Sequence, residues 1–387
     1  MKILDRYILK TFLLSLLISV AALMGIVLIL DLAINANKLL NLSTAARVTG
    51  FWPIFLGLVD YYFYKMFDYF QWIASPAILV AAAASLVRLN RSRELVGIKA
   101  AGVSLYRVMW PMIAVALALD GFYIVNQEII LPAISVQLAR SPDDPEVKKE
   151  FAVDFIRDEN NNIIYAPLYD PKARELRSEA KIKDDGTLLY MARVRIFRRD
   201  SKFLPLGTIE AEKATWDPKA GGWRLTDGVR LPPLKEPSFT DPDRLPDGPE
   251  GDPVDFYSSN VGPPEIQRHR ASDFYRYMAY GELRALADDP IRSNRQALQV
   301  AMHQHVTSPI MNLLLLLLGL PFVAGRDDRN YLSSIGVAIG LVIGIYTLTF
   351  AATAFGQQGH IGALLAAWLP VFIVLPASVL SMEALRT

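Results

Sequence analysis

The chain has 387 residues, of which 52% are hydrophobic and 20% are charged, and its formal net charge is +1. A balance this close to neutral argues against a nucleic-acid-binding protein that works by neutralising phosphates. The sequence contains no cysteine, which excludes disulfides, thiolate metal sites and thiol nucleophiles.

The first third of the chain contains three apolar runs that predict membrane helices. The run at 11–30 is too long for a cleaved signal peptide and long enough to span a bilayer. Basic residues ahead of it place the N-terminus in the cytoplasm. The second run covers 69–87, where Pro76 predicts a kink, and the third covers 108–125.

A short basic segment, 88–102, joins the second and third runs and reads RLNRSRELVGIKAAG. Short loops rich in Lys and Arg stay in the cytoplasm, so this segment is predicted there. Residues 94–101 contain no proline and predict about two turns of helix lying on the membrane. We expect a soluble partner to dock on it, against the alternative of a loop that only anchors two helices to lipid headgroups. The candidate docking residues are Arg91, Arg93, Glu94, Leu95, Val96, Gly97, Ile98, Lys99 and Gly102.

The block at 132–297 is polar and contains no run long enough to span a membrane. Alternating segments such as GTLLYMARVRIFRR predict β-strands, and turn residues at 184–186 and 219–222 predict hairpins. We therefore expect an all-β domain, a sandwich or an open barrel, outside the cytoplasm. Residues 231–254 are so rich in Pro and Asp that they predict a long loop.

Three further membrane helices are predicted at about 306–325, 332–354 and 361–380. The predicted fold is a membrane α-helical protein with six transmembrane helices, an inserted all-β domain and both termini in the cytoplasm. Its predicted parts are helices 1–3 within 1–131, the β domain within 132–297, and helices 4–6 within 298–387.

No catalytic motif is visible in the sequence. His303 and His305 are two residues apart, so on a helix they point to different faces, and no HExxH pattern is present. Neither a phosphate-binding P-loop nor a GxSxG nucleophile elbow occurs. We therefore predict no catalytic residue, no metal site and no cofactor. If ATP drives this protein, another polypeptide must hydrolyse it.

Polar and small residues in the membrane runs give further candidates. Gly336, Gly340 and Gly344 recur every four residues, which predicts a face for close packing against a helix of this chain or of a partner. Asp120 is costly in lipid, so it should face protein, water or headgroups. Lys38, just beyond the first helix, could meet an anionic ligand or could simply be solvated.

Several of these segments resemble the lipopolysaccharide export permease family, LptF/LptG, and the loop SRELVGIKAAGVSLYRV is the most specific of them. The likeness runs nearly end to end and is closer to the G-type subunit than to the F-type. The other segments are LDRYILKTFL, NQEIILP, AEKATWDPKAGGWRL, SDFYRYMAYGEL and PIMNLLLLLLGLPF. The resemblance implies an ABC transporter permease in the inner membrane with a β-jellyroll-like periplasmic domain.

The resemblance also implies partners and residue roles. The partners would be a cytoplasmic ABC ATPase dimer, a second permease subunit of the same family, periplasmic jellyroll bridge proteins, and lipopolysaccharide or another glycolipid as cargo. The family pairs two different permeases, and the sequence leaves a homodimer open as the alternative. Glu94 matches the acidic residue of the coupling helix that engages the ATPase, and helices 1 and 5 would line a lateral gate. Lys38 matches a basic residue near the phosphates of the lipid. Asn37, Asp31 and the Pro-rich loop depart from the family pattern.

Two other interpretations stay open from the sequence. A permease for lipoproteins or another lipid would also need an ATPase, but its periplasmic domain would differ. An envelope scaffold without energy input would show no nucleotide-dependent change in its helices.

Overall fold

The computed structural model describes residues 3–36, 51–140, 149–182, 188–202, 204–233, 251–270, 274–288, 295–324 and 331–383. The chain divides into two compact units. The first unit contains Met1–Asn37, Leu58–Ile134 and Tyr275–Thr387, and the second contains Lys38–Gly57 and Ser135–Phe274. The first unit holds the long apolar helices and the second holds the β-strands.

The helices follow one another along the chain, interrupted by the strands. They are α1 (Ile3–Ile34), α2 (Phe51–Arg91), α3 (Glu94–Ala100), α4 (Leu105–Val125), α5 (Leu131–Ala133), α6 (Ser135–Leu138), α7 (Pro263–Arg268), α8 (Tyr280–Ala287), α9 (Arg295–Ala324), α10 (Tyr331–Gln357) and α11 (Ala363–Glu383). A π-helical segment, Asn126–Ile130, joins α4 to α5, and a 3₁₀ turn covers Phe274–Tyr277.

Within the described residues, six helices are long and apolar enough to cross a membrane, namely α1, α2, α4, α9, α10 and α11. Two of them begin well before the predicted runs, α2 at Phe51 and α9 at Arg295. The prediction counted only continuous apolar stretches, whereas a helix continues as long as no residue breaks it. Pro53 stands in the first turn of α2, where proline is tolerated, and RQALQ at the start of α9 contains good helix formers.

The centre of the helical unit is α2. In its most apolar stretch 72% of the residues are buried, against 17% in α1 and 17% in α10. The alanines at 81–83 are buried, so neighbouring helices approach the α2 backbone closely. The core joins residues of all six long helices and of α3. Its members from α1, α2, α4 and α9 include Ile8, Phe12, Leu79, Leu86, Met109, Met112, Leu315 and Leu316. Consequently α1 and α10 keep most of their apolar surface outside this core.

The strands of the second unit form one large antiparallel sheet and a separate pair. They are β1 (Phe151–Arg157), β2 (Ile163–Asp170), β3 (Glu175–Arg177), β4 (Glu179–Ile182), β5 (Leu188–Ala192), β6 (Val194–Arg199), β7 (Pro205–Ala211), β8 (Lys213–Asp217), β9 (Gly222–Thr226), β10 (Val229–Leu231), β11 (Asp252–Pro253) and β12 (Phe256–Ser258). The large sheet has the order β11-β10-β7-β6-β2-β3-β8-β9-β12, with β1 also paired to β2, and β4 pairs with β5.

This sheet curls into a half-barrel. Its two end strands, β11 and β12, are joined by only two residues, Val254 and Asp255. The amide of Val254 donates to the Gly228 carbonyl at 2.9 Å, and the Leu225 amide donates to the Asp255 carbonyl at 2.8 Å. The short link therefore holds the first and the last strand of the sheet close together. The sheet encloses a core that contains Tyr169 and Trp223.

The prediction of a membrane helical protein with an inserted all-β domain is confirmed, and the sheet corresponds to the open-barrel alternative. The hairpin at 219–222 connects β8 to β9, where Asp217 pairs with Gly222 and Gly221 has a left-handed φ of 65°. The hairpin residues 184–186 lie outside the described part, although the flanking β4 and β5 pair antiparallel. Of the predicted Pro-rich loop, 234–250 also lie outside it.

A buried polar cluster fixes the turn between β1 and β2. Asp158 accepts hydrogen bonds from the backbone amides of Asn160 at 2.9 Å and Asn162 at 2.8 Å. The Tyr257 hydroxyl donates to Asp158 and accepts from the Asn162 side chain at 2.7 Å. Burial, reinforced by the bond to Asp158, raises the pKa of the Tyr257 hydroxyl, so it remains a donor. The cluster ties the β1–β2 turn to β12 across the half-barrel.

Tyr257→Phe is expected to destabilise the β unit by about 1–3 kcal/mol, because it leaves the buried Asp158 carboxylate without its hydroxyl donor. Hydrogen–deuterium exchange of the purified full chain should show faster exchange at residues 158–162. Tyr165→Phe, on a half-buried tyrosine of β2, is the control and should leave that exchange unchanged. Equal exchange in both variants would contradict a stabilising role for the cluster.

Candidate functional site: the α3 connection and the open helix faces

The connection between α2 and α4 is a fixed structure. Arg93, just before α3, adopts a left-handed φ of 60°, and Gly102 after it has a φ of 75°. The amides of Ala101, Gly102 and Val103 bond back to carbonyls of α3, which satisfies its C-terminal end. Because both ends turn sharply, α3 is held between the ends of α2 and α4.

The two faces of α3 differ. Leu95 is 3% exposed and belongs to the core of the helical unit, and the half-buried Ile98 packs against that core. Val96, Gly97 and Lys99 are exposed. A Cβ added to Gly97 would meet no atom of the described residues within 4 Å. α3 is thus fastened by one side while the other, small-residue side stays open.

Two contacts connect this region to the first turns of α1. The half-buried Glu94 lies beside the hydroxyl of Tyr7 and interacts with it electrostatically. Arg107, near the start of α4, lies 3.7 Å from the Asp5 carboxylate. Glu94, the predicted docking residue, therefore also belongs to a link between α1 and the α2–α4 hairpin.

The predicted docking residues lie together on and beside α3. Arg91, Arg93 and Gly102 are exposed at its two ends. Leu95 and Ile98 face the core and hold the helix in place, so the surface that a partner can reach is smaller than the predicted set. Its exposed members are Arg91, Arg93, Val96, Gly97, Lys99 and Gly102.

The predicted glycine stripe lies on an open face of α10. Gly336, Gly340 and Gly344 are exposed, and a Cβ at each would meet nothing within 4 Å in the part of the chain that is described. The close helix contacts inside this chain use other glycines. A Cβ on Gly319 of α9 would overlap the Leu79 side chain, and one on Gly356 would overlap Ala366. Packing of the stripe against a partner stays a prediction.

Gly319→Ala is expected to destabilise the helical unit by about 1–3 kcal/mol, because Leu79 is fully buried and has little room to move. Gly340→Ala is the matched control, and it should leave stability unchanged or slightly raised, since alanine favours helix. Thermal unfolding of the purified chain in detergent measures both. A Gly340→Ala loss as large as that of Gly319→Ala would contradict the open face.

Asp120 faces the protein interior. It is buried and accepts a hydrogen bond from Nδ2 of Asn312 at 3.0 Å, which links α4 to α9. A polar residue within a membrane span is satisfied by such a partner rather than by lipid. Asp31 is likewise engaged, because it accepts a hydrogen bond from the Tyr62 hydroxyl at 3.0 Å. Lys38 and Asn37 lie outside the described residues.

A polar cluster that no sequence pattern indicates surrounds Glu128. One carboxylate oxygen of Glu128 lies 3.0 Å from Nδ1 of His305, whose side chain is 8% exposed. The other oxygen accepts a hydrogen bond, 2.9 Å long, from the backbone amide of Tyr280, the first residue of α8. Glu128 thus joins the π-helical segment, α9 and the N-terminus of α8, where a negative charge is favourable. The chain separation of 177 residues hid the pair from sequence patterns.

The described residues contain no group of three or more His, Asp or Glu side chains that could hold a metal ion. A family model described as lipopolysaccharide export system permease LptF/LptG matches residues 6–383. A search of curated proteins found no match.

The family match covers nearly the whole chain, including α3, all six candidate spans and the β unit. It makes the protein a component of a transporter, rather than an enzyme, in the inner membrane, which the chain crosses several times. The family description joins both permease types, so the closer likeness to the G-type stays a prediction. The chain belongs to the lipopolysaccharide export system permease family LptF/LptG.

Proposed function

We propose that this chain is the G-type permease subunit of an exporter that extracts lipopolysaccharide, or a related glycolipid, from the inner membrane. A cytoplasmic ABC ATPase dimer supplies the energy, and a second permease of the same family completes the membrane part. The lipid passes to jellyroll bridge proteins in the periplasm. The observation that carries this proposal is α3, a helix fastened on one side and open on the other, between two membrane helices.

The orientation follows from charge. Arg88, Arg91, Arg93 and Lys99 cluster around α3, and such short basic connections stay in the cytoplasm. Two membrane helices, α1 and α2, precede α3, and four follow it, so both termini lie in the cytoplasm with α3. One membrane helix, α4, separates α3 from the β unit, which accordingly lies in the periplasm.

Force from the ATPase enters at the open side of α3. Leu95 and Ile98 couple α3 to the core, so a push on the helix moves the ends of α2 and α4. The Glu94–Tyr7 and Arg107–Asp5 contacts extend that movement to α1. Since α1 keeps most of its apolar surface outside the core, its displacement changes the lipid-facing side of the subunit.

The second permease pairs with the open faces of α1 and α10. Among the six candidate spans of the described residues, these two have the smallest buried share in their most apolar stretch, and α10 presents Gly336, Gly340 and Gly344. A glycine stripe lets the backbone of another helix approach closely, and a large side chain on the stripe would prevent that approach. The cavity for the lipid forms between the two subunits, and Lys38 near the end of α1 contacts lipid phosphates.

Reconstitution tests this function. The complex, purified from native membranes, is placed in liposomes that contain labelled lipopolysaccharide, and a soluble periplasmic bridge protein is added outside. ATP should transfer labelled lipid to the bridge protein, and a nonhydrolysable analogue should not. Transfer of phospholipid or lipoprotein instead, with no lipopolysaccharide moved, would contradict the proposed cargo.

A further inference from the structure

A groove of about 620 Å³ lies between α1 and α2. Its volume is in the range of ordinary ligand pockets, about 300–1,000 Å³. The walls are apolar or small, with Ser19 and Ala22 from α1 and Ala84 from α2, and Arg88 and Arg91 lie at one end. The groove therefore combines an apolar channel with a cationic end.

The length of the groove matches one leaflet of a bilayer. On the α2 side the wall runs from Val80 to Arg91, which corresponds to about 17 Å of helix, and Ser92 follows just beyond the helix end. Half of a bilayer hydrocarbon core is about 15 Å thick. Arg88 and Arg91 stand at the last turn of α2. Arginines at the end of a membrane helix extend to the level of the lipid headgroups.

The two arginines suit a phosphate. They are three residues apart on α2, so they lie side by side on one face, and both are exposed. Guanidinium groups bind phosphate oxygens through paired, charge-assisted hydrogen bonds. Basic pockets between membrane helices on the cytoplasmic side are typical binding sites of anionic lipid headgroups.

We propose that this groove binds one anionic phospholipid of the cytoplasmic leaflet, separately from the exported glycolipid. An acyl chain lies along the wall formed by Ser19, Ala22 and Ala84, and the phosphate pairs with Arg88 and Arg91. The choice of leaflet rests on the orientation proposed above. A purely apolar helix of another subunit would fill the channel but leave both guanidinium groups without an anion, so a charged lipid fits the groove better.

Native mass spectrometry of the full chain, purified in mild detergent and depleted of lipid, tests the proposal. Phosphatidylglycerol and phosphatidylcholine with identical acyl chains are offered in equal amounts. We expect about tenfold preferential retention of phosphatidylglycerol, and loss of that preference in Arg88→Gln and in the Arg88→Gln/Arg91→Gln double variant. Ala84→Leu should reduce retention of both lipids, because it narrows the channel.

Lys10→Gln is the control. Lys10 is an exposed basic residue in the N-terminal part of α1 that does not line the groove, so this variant should keep the preference for phosphatidylglycerol. Thermal unfolding confirms that each variant is folded. Because Arg91 also belongs to the α3 surface, the Arg88→Gln variant alone decides the lipid result.

Equal retention of the two phospholipids by the wild-type chain would overturn the proposal, as would an undiminished preference in Arg88→Gln. Displacement by equimolar lipopolysaccharide would make the groove a cargo site. Loss of the preference in the complex with a second permease would make it a subunit interface. Since retention is read without ATP or transport, failure of the export function leaves this result unaffected.

Discussion

Gly97→Leu is expected to abolish association with the ATPase while the chain itself stays folded. Gly97 is exposed, and a Cβ added to it would meet no atom of the described residues within 4 Å, so we expect the substitution to leave the fold intact. Leucine also favours helix over glycine by up to about 1 kcal/mol. A partner that approaches α3 closely would instead meet a bulky side chain. Co-purification from detergent-solubilised membranes measures the loss, which should reduce the recovered ATPase at least about tenfold.

Gly281→Leu is the matched control. Gly281 also lies in a short helix, α8, is exposed, and has no described neighbour within 4 Å of an added Cβ. The same substitution there changes helix propensity equally but lies far along the chain from α3. ATPase recovery should remain at the wild-type level. Normal recovery in Gly97→Leu would mean that the open side of α3 is not the docking surface.

Glu128→Ala is expected to release α8 and to lower the stability of the helical unit by about 2 kcal/mol. It leaves the buried His305 ring and the Tyr280 amide without their shared acceptor. Glu128→Gln should retain most of the stability, because its amide can donate to His305 and its oxygen can accept from Tyr280. Thermal unfolding in detergent ranks the three proteins.

A local readout separates this effect from general destabilisation. The chain has no cysteine, so Ala287→Cys places a single thiol on the buried side of α8. Its labelling by a maleimide should be slow in the parent and in Glu128→Gln, and several-fold faster in Glu128→Ala. Identical labelling rates in all three would show that Glu128 does not hold α8.

The membrane helices were predictable because a continuous apolar stretch of about 20 residues is typical of a helix that spans a bilayer. Their ends were not, since residues 51–68 and 295–305 belong to α2 and α9 without being uniformly apolar. The β unit followed from alternation and turn residues, but its curl depends on β11 and β12 joining distant strands. Pairing between strands that are distant in the chain produces no pattern within a short stretch of sequence.

The candidate site was predictable only in part. The basic loop with a central proline-free stretch indicated α3, but its two faces follow from packing against the core. Glycine spacing drew attention to Gly340, whereas Gly319 contacts Leu79 as a single glycine in a leucine run. The Glu128–His305 pair and the lipid groove each need two helices placed side by side, and no pattern within one segment specifies that placement.

The most direct test of the export account is purification of this chain from its native membranes in mild detergent, with identification of attached proteins by mass. We predict an ABC ATPase together with a second six-helix permease of the same family. An unrelated ABC transporter from the same membranes, which must keep its own ATPase, controls for dissociation. If that control stays intact and this chain carries no ATPase, the account of an ATP-driven export permease is wrong.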